Sequence, residues 1–218
     1  KIPVVVDNTF ATSYIQKPLD LGATLSLTST TKYINGHSDA LGGAVSTNSE
    51  IWKEKMVFAQ KALGLQPSPF DCWLITRGIK TLSIRLERQI KNAECIANIL
   101  ASHPLIKWVR YPYRADHPQY NIAKNQMKAG GAIVTASLKA EKEITYHFCK
   151  NLSYFTMAES LGGVESLICH PASMTHASVD EKVKTKIGID DSLIRFSVGC
   201  EDIDDLTEDL QATLDELL

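Results

Sequence analysis

Four polar residues near the start of the chain are of the types that hold a charged cofactor: Asp7, Ser29, Thr31 and Lys32. Asp7 directly follows Val4-Val5-Val6, an apolar run without alternation, which predicts a strand buried on both faces of a parallel sheet. A second predicted strand, Thr24–Thr28, runs straight into Ser29-Thr30-Thr31-Lys32. In open α/β sheets ligands lie beyond the carboxyl ends of the strands, so both segments deliver their polar residues to such a place. A carboxylate, two hydroxyls and one lysine suit a phosphorylated cofactor with a cationic ring, held through the lysine. Pyridoxal phosphate (PLP) meets that description. Its attachment needs an amine that is fixed and partly desolvated, so that its pKa falls. Ser29 and Thr31, if the backbone is extended, project to one side and can share a phosphate. Each residue also has a plain structural use: a solvated lysine, an Asx-turn aspartate, hydroxyls at strand ends.

Other chemistries are disfavoured by the same reading. The chain has no G-x-x-x-x-G-K-[ST] for a nucleoside triphosphate. Its Gly36–Gly43 loop holds no G-x-G-x-x-G for a dinucleotide. Cys169, His170 and His176 are the one cluster that invites a metal, and their spacing matches no common zinc pattern. His37 and Asp39 read as residues that order the loop after Lys32. Arg195 interrupts the apolar run Leu193-Ile194-Arg195-Phe196, where a charge needs a partner. That partner is either a structural carboxylate or the α-carboxylate of an amino acid, which a guanidinium can grip with two parallel bonds.

Seven blocks of the chain resemble the PLP-dependent enzymes of cysteine and methionine metabolism. They are Val6–Thr12, Ser29–Asp39, Pro67–Asp71, Arg77–Leu82, Ala158–Gly163, Pro171–His176 and Ile194–Gly199, in family order from one end of the chain to the other. The resemblance implies a PLP-dependent aminotransferase-like fold (fold type I). In it Lys32 bonds to PLP and acts as general base, Asp7 holds the pyridinium N–H, and Ser29 and Thr31 hold the phosphate. It places Arg195 on the substrate carboxylate and Ser160 beside the lysine and that carboxylate. The activity implied is elimination or replacement at Cβ or Cγ of a small amino acid. Cystathionine γ-synthase-like chemistry (O-acylhomoserine plus cysteine) leads, because Cys169 stands where many cystathionine γ-lyases have glutamate. Cystathionine γ-lyase, cystathionine β-lyase and methionine γ-lyase are the alternatives. An aminotransferase would share the fold and the lysine.

Two departures qualify the match. Thr24 stands where the family usually has an acidic residue, at a position expected within the strand. The chain opens at Lys1-Ile2-Pro3, where family members have about another half-chain. It therefore reads as the C-terminal part of a longer protein: residues 1–83 as part of the PLP-binding large domain, and 84–218 as a smaller α+β domain. The expectation is a fragment inactive alone, working with the missing part in a homo-oligomer, a tetramer built as a dimer of dimers.

The elements that position these residues are legible in outline. Tyr14–Leu21 predicts a short helix closed by Gly22, and Ala44–Thr47 a strand. Ser49 is a candidate N-cap for a helix over Glu50–Leu63 that Gly64 stops. Pro67-Ser68-Pro69 marks a turn with proline at a helix start. Phe70–Ser102 is helical in pattern with a break at Gly78, and Leu82, Leu86, Ile90, Ala93, Ala97 and Leu100 form its apolar face. Strands follow at 106–109, 132–138 and 193–198, with helices at 145–150 and 202–218. The last helix has acids at its start, matching the positive end of the dipole, and Ile203, Leu206, Leu210, Leu214 and Leu217 on its apolar face.

Composition is that of an ordinary water-soluble domain: 218 residues, 44% hydrophobic, 22% charged, net charge −2. That charge gives no reason to expect nucleic acid or an anionic membrane. No run approaches the roughly 20 apolar residues of a spanning helix, and no signal peptide is evident. Five scattered cysteines without C-x-x-C spacing favour free thiols in a cytoplasmic protein over a disulfide framework.

Overall fold

In the computed structural model, residues 2–218 are described, and they divide into two units. One comprises residues 2–84 with Asn121–Ala129, the other Arg85–Tyr120 with Gly130–Leu218.

The first unit holds a three-stranded sheet in the order β1 (Val5–Asp7), β2 (Leu25–Ser29), β3 (Gly43–Ser46). β1 and β2 are parallel, with Asp7 opposite Leu27, and β3 is antiparallel to β2. The expected burial of Val4–Val6 on both faces is not found. Val4 and Val5 are 52% and 59% exposed. The physical reason is that β1 is an edge strand in this sheet, bonded on one side only. Thr24 lies one residue before β2, where its hydroxyl accepts from the Val4 N–H.

After Asp7 the chain makes only one helical turn, α1 (Thr12–Ile15), instead of the expected Tyr14–Leu21 helix. Pro18 explains this: it lacks an N–H and pushes Lys17 out of the helical region. Turn hydrogen bonds such as Leu21 N to the Pro18 carbonyl fill the gap. α2 (Glu50–Leu63) starts at Ser49 and ends at Gly64, whose φ of 68° gives the left-handed stop expected there. It buries none of its residues, and Phe58 and Leu63 are largely exposed. α3 (Pro69–Gly78) has Ser68 as its N-cap and proline in its first turn, as the Pro-Ser-Pro sequence predicts. A short 3₁₀ turn, Ile79–Thr81, separates it from α4 (Leu82–Ser102), inside which the boundary between the units falls.

The second unit contains five further strands: β4 (Ile106–Arg110), β5 (Ile133–Leu138), β6 (Thr156–Met157), β7 (Leu167–Cys169) and β8 (Leu193–Ser197). They form one sheet in the order β4-β5-β8-β7-β6, antiparallel except for the β7–β6 pair. Its core includes Val134, Leu138, Ile168, Ile194 and Phe196 from the strands and Leu86, Ala93, Ala97 and Leu100 from α4. The apolar spacing read along α4 is thus its buried face. The remaining helices are α5 (Tyr120–Gln126), α6 (Lys142–Asn151), α7 (Glu181–Ile187) and α8 (Ile203–Asp215). α8 buries Leu206, Leu210 and Leu214 completely, and Asp202 caps its N-terminus by accepting from Asp204 N. No helix of the described residues is long and apolar enough to cross a membrane.

Candidate active site

In the first unit the parallel pairing of β1 and β2 sets Asp7 and Ser29 at the same end of neighbouring strands. Thr9 locks the two loops together. Its N–H donates to Asp7 Oδ1 at 3.0 Å, and its hydroxyl accepts from the Ser29 N–H at 2.8 Å. Asp7 therefore does form an Asx-turn. This engages one carboxylate oxygen and leaves Oδ2 as an acceptor for another donor.

Beyond Ser29 the backbone leaves the strand. Thr30–Ile34 forms a π-type turn, closed by Asn35 N donating to the Thr30 carbonyl at 3.0 Å. Lys32 sits inside it with non-helical angles, φ −89° and ψ −130°. Its neighbours Thr30, Tyr33, Ile34 and Asn35 are buried while Lys32 is half-buried, so the turn is anchored on both sides of the lysine. The extended run expected over Ser29–Thr31 thus ends at Ser29, and a turn takes over from Thr30. The Thr31 hydroxyl donates to the Gly42 carbonyl and accepts from Gly42 N.

Asn35 is also where helix α3 meets the turn. A Cβ on Gly78 would overlap the Asn35 carbonyl oxygen. The break read at Gly78 therefore marks a close approach of two backbones. The downstream loop orders itself as its sequence suggests: Asn35 Nδ2 donates to Asp39 Oδ1 at 2.8 Å, and His37 Nδ1 lies 2.7 Å from the Asn35 carbonyl oxygen.

In the second unit Arg195 lies on β8, between β5 and β7. Among the described residues it makes no ion pair. Its Nη2 donates to the carbonyls of Glu159 (2.9 Å) and Ser160 (3.2 Å), and its Nε is buried without a hydrogen-bond partner. Ser160 therefore meets Arg195 through its backbone. Cys169 faces Arg195 across the β7–β8 pair. Burial raises the Cys169 thiol pKa, and the guanidinium partly opposes that rise. His170, fully buried, engages both ring nitrogens, Nδ1 with the Ser173 hydroxyl and Nε2 with the Asp191 carbonyl. That is a structural clamp on the Pro171–His176 block.

Thr9, Gln89 and Asn92 belong to these arrangements although their sequence did not single them out. Gln89 and Asn92 are buried on α4 and donate to the carbonyls of Gly163 and Gly199. The available signal was a second spacing along α4: Arg85, Arg88, Gln89 and Asn92 fall at three- and four-residue steps, a polar stripe beside the apolar one.

The family model for Cys/Met metabolism PLP-dependent enzymes matches residues 1–215. The chain belongs to that family. A cystathionine γ-lyase of Dictyostelium discoideum is 50% identical over 213 residues, covering 98% of this chain and 55% of its own length. A cystathionine β-lyase of Coxiella burnetii is 48% identical with the same coverage. Among solved structures, cystathionine γ-synthase from Xanthomonas oryzae pv. oryzae in complex with cystathionine superposes with a TM-score of 0.95 at 47% identity. It too has 98% of this chain matched and 55% of its own. The chain thus spans about half the length of the curated relatives it matches, and its α/β architecture is that of fold type I PLP enzymes. The residues in hand fit the cofactor of the family. Asp7 keeps one carboxylate oxygen outside its own turn, and Lys32 is held by a backbone-locked turn one strand away.

Proposed function

We propose that this protein, as part of a polypeptide of its relatives' length, is a PLP-dependent enzyme that breaks or makes the carbon–sulfur bond of cystathionine or a similar amino acid. The observation that carries the reading is the turn at Lys32, set after a parallel strand pair whose other member ends in Asp7. Residues 1–83 would be the cofactor-holding part of a larger domain, and 84–218 a second domain that contributes Arg195. A homo-oligomer, in the cytoplasm, is part of the same proposal.

When bound, PLP supplies a protonated, electron-withdrawing ring that can accept the electron pair left at a substrate Cα. Asp7, through Oδ2, would hold the proton on the ring nitrogen. Ser29 would bind the phosphate with its hydroxyl. Thr31 would do so with the hydroxyl proton it otherwise donates to the Gly42 carbonyl. Lys32 Nζ would remove the Cα proton as general base and return it later at another carbon. Arg195 would hold the substrate carboxylate and so set the direction of the Cα–H bond, with Ser160 beside it through its backbone. A thiolate leaving from Cγ gives the γ-lyase reaction, and its replacement of an acyl-oxygen group gives the synthase reaction.

The lyase and synthase readings rest on different observations. The relatives at 48–50% identity named above are lyases, whereas a buried Cys169 at the glutamate position of many γ-lyases favours the synthase. The test has two stages. Borohydride reduction followed by peptide mapping should place a pyridoxyl-phosphate adduct on Lys32, and the Lys32→Ala variant should show none. An adduct on another lysine would overturn the reading. Product analysis then separates the reactions: 2-oxobutyrate and cysteine from cystathionine for a γ-lyase, pyruvate and homocysteine for a β-lyase, and cystathionine from O-acylhomoserine plus cysteine for a synthase.

A further inference from the structure

The segment Glu159–Gly163 is fixed from three directions within the second unit. Arg195 Nη2 donates to the carbonyls of Glu159 and Ser160. The Gly162 N–H donates to the Ser197 hydroxyl at 2.9 Å. Gln89 Nε2 donates to the Gly163 carbonyl at 2.7 Å. Arg195 and Ser197 share one face of β8, being two residues apart. The loop is thus strapped to the strand that carries the arginine, and its far end is strapped to α4.

Gln89 is the informative member. It is fully buried, and its Oε1 has no hydrogen-bond partner among the described residues. An unsatisfied buried carbonyl destabilises the fold, and a methionine of similar volume would avoid that cost. The glutamine therefore has a stability disadvantage at this position unless its single N–H donation is needed. Nη2 of a guanidinium has two N–H groups, and both are committed to the two loop carbonyls. Wherever the loop sits, the plane of the Arg195 guanidinium must follow.

We propose that Gln89 and Ser197 are positioning residues: by fixing the Glu159–Gly163 loop, they set the orientation of Arg195 toward a substrate carboxylate. The inference rests on the reading of Arg195 as the carboxylate binder. Neither residue touches substrate in this scheme, and their effect is transmitted through the carbonyls of Glu159 and Ser160.

The test compares ligands that differ by one carboxylate. Glycine and methylamine are titrated into the PLP-loaded full-length enzyme, and the change in visible absorption gives an apparent Kd for each. The wild type should favour glycine. Arg195→Ala should abolish that preference. Gln89→Met should reduce it about tenfold, roughly one hydrogen bond's worth of alignment, with the Lys32 adduct and the methylamine affinity unchanged. Ser197→Ala, which removes the strap at the other side of the loop, should act in the same direction and serves where Gln89→Met does not fold. A preference lost in Arg195→Ala but intact in both positioning variants overturns the inference and leaves the functional reading standing. A preference intact in Arg195→Ala refutes the functional reading, and the inference falls with it.

Discussion

Replacing Gly78 by alanine sets two known effects against each other with opposite signs. Gly78 has ordinary helical angles, φ −61° and ψ −40°. On propensity alone, alanine should stabilise α3 by about 0.5–1 kcal/mol. The added Cβ, however, would overlap the Asn35 carbonyl oxygen and lie 3.0 Å from the Asn35 carbonyl carbon and 3.1 Å from its Cα. Carbon atoms rest at about 3.5–4.0 Å from each other and carbon from oxygen at about 3.3–3.6 Å, so α3 or the turn must move by about 1 Å or more. Both sides of the contact are backbone, and neither can yield by rotating a side chain. Overpacking of this kind costs about 1–3 kcal/mol, which exceeds the propensity gain. We expect Gly78→Ala to destabilise the protein by about 1–2 kcal/mol. In urea, with a slope of about 2 kcal/mol per M, the unfolding midpoint should fall by about 0.5–1 M. Asn35 N closes the Lys32 turn through the Thr30 carbonyl, so the yield of borohydride-trapped adduct on Lys32 should fall as well. A midpoint that rises would show that helix propensity outweighs the contact and would refute the argument.

Three further outcomes follow from caps and thiols. Ser68 accepts from Asp71 N at 3.0 Å and donates to the Asp71 carboxylate at 2.7 Å, whereas Ser49 accepts from Trp52 N only at 3.5 Å. Ser68→Ala should therefore cost about 1 kcal/mol and Ser49→Ala measurably less, as read by urea unfolding. Brief alkylation of the native protein near neutral pH should label exposed Cys72 and spare buried Cys149 and Cys169, as read by peptide mass mapping. Burial pushes the Cys149 thiol up from its ordinary 9.0 to about 12. A raised folded-state pKa gives stability that is complete below the unfolded value, so this contribution is present below about pH 9 and is lost as pH rises toward about 12. Cys149→Ala should flatten that part of the alkaline stability profile.

Local signals along the chain were legible wherever one residue dictates one geometry. Gly64, Ser68-Pro69 and the apolar steps of α4 and α8 read correctly because caps and helical periodicity are properties of neighbouring residues. The Val4–Val6 reading failed for the opposite reason. An unalternating apolar run reports how much burial a strand is suited to, and the burial itself is supplied by whatever lies on either side of it. The two- and three-residue strands β6 and β7 were too short to carry a period, and Pro18 outweighed the helical look of Tyr14–Leu21. In the site, residue types were legible before their geometry. Ser29, Thr31 and Lys32 are close in sequence, but an extended backbone beyond Ser29 was an assumption that the π-type turn replaces. Gln89 and Asn92 escaped notice because a polar residue on a long helix is ordinarily solvated, and only the loops packed against α4 make these two buried donors.

The settings of Lys32 and Arg195 differ in the way their proposed tasks require. A lysine that attaches, detaches and carries a proton must move its side chain while its Cα stays put. The structure gives it backbone restraint: the Asn35-to-Thr30 closure of the turn, Gly36 N on the Lys32 carbonyl, and buried Tyr33 and Ile34 beside it. An arginine that orients a carboxylate must instead be fixed at the guanidinium. Arg195 lies on an interior strand and spends Nη2 on two loop carbonyls, while the loop is secured by Ser197 and Gln89. Restraint at the backbone for the mobile group and at the side-chain tip for the static one is hard to explain by packing alone. An arginine needed only for stability would be better satisfied by a carboxylate partner, and a lysine needed only for solubility would not require a π-type turn. The arrangement suits the proposed reaction, in which Lys32 would transfer a proton and Arg195 would hold the substrate still.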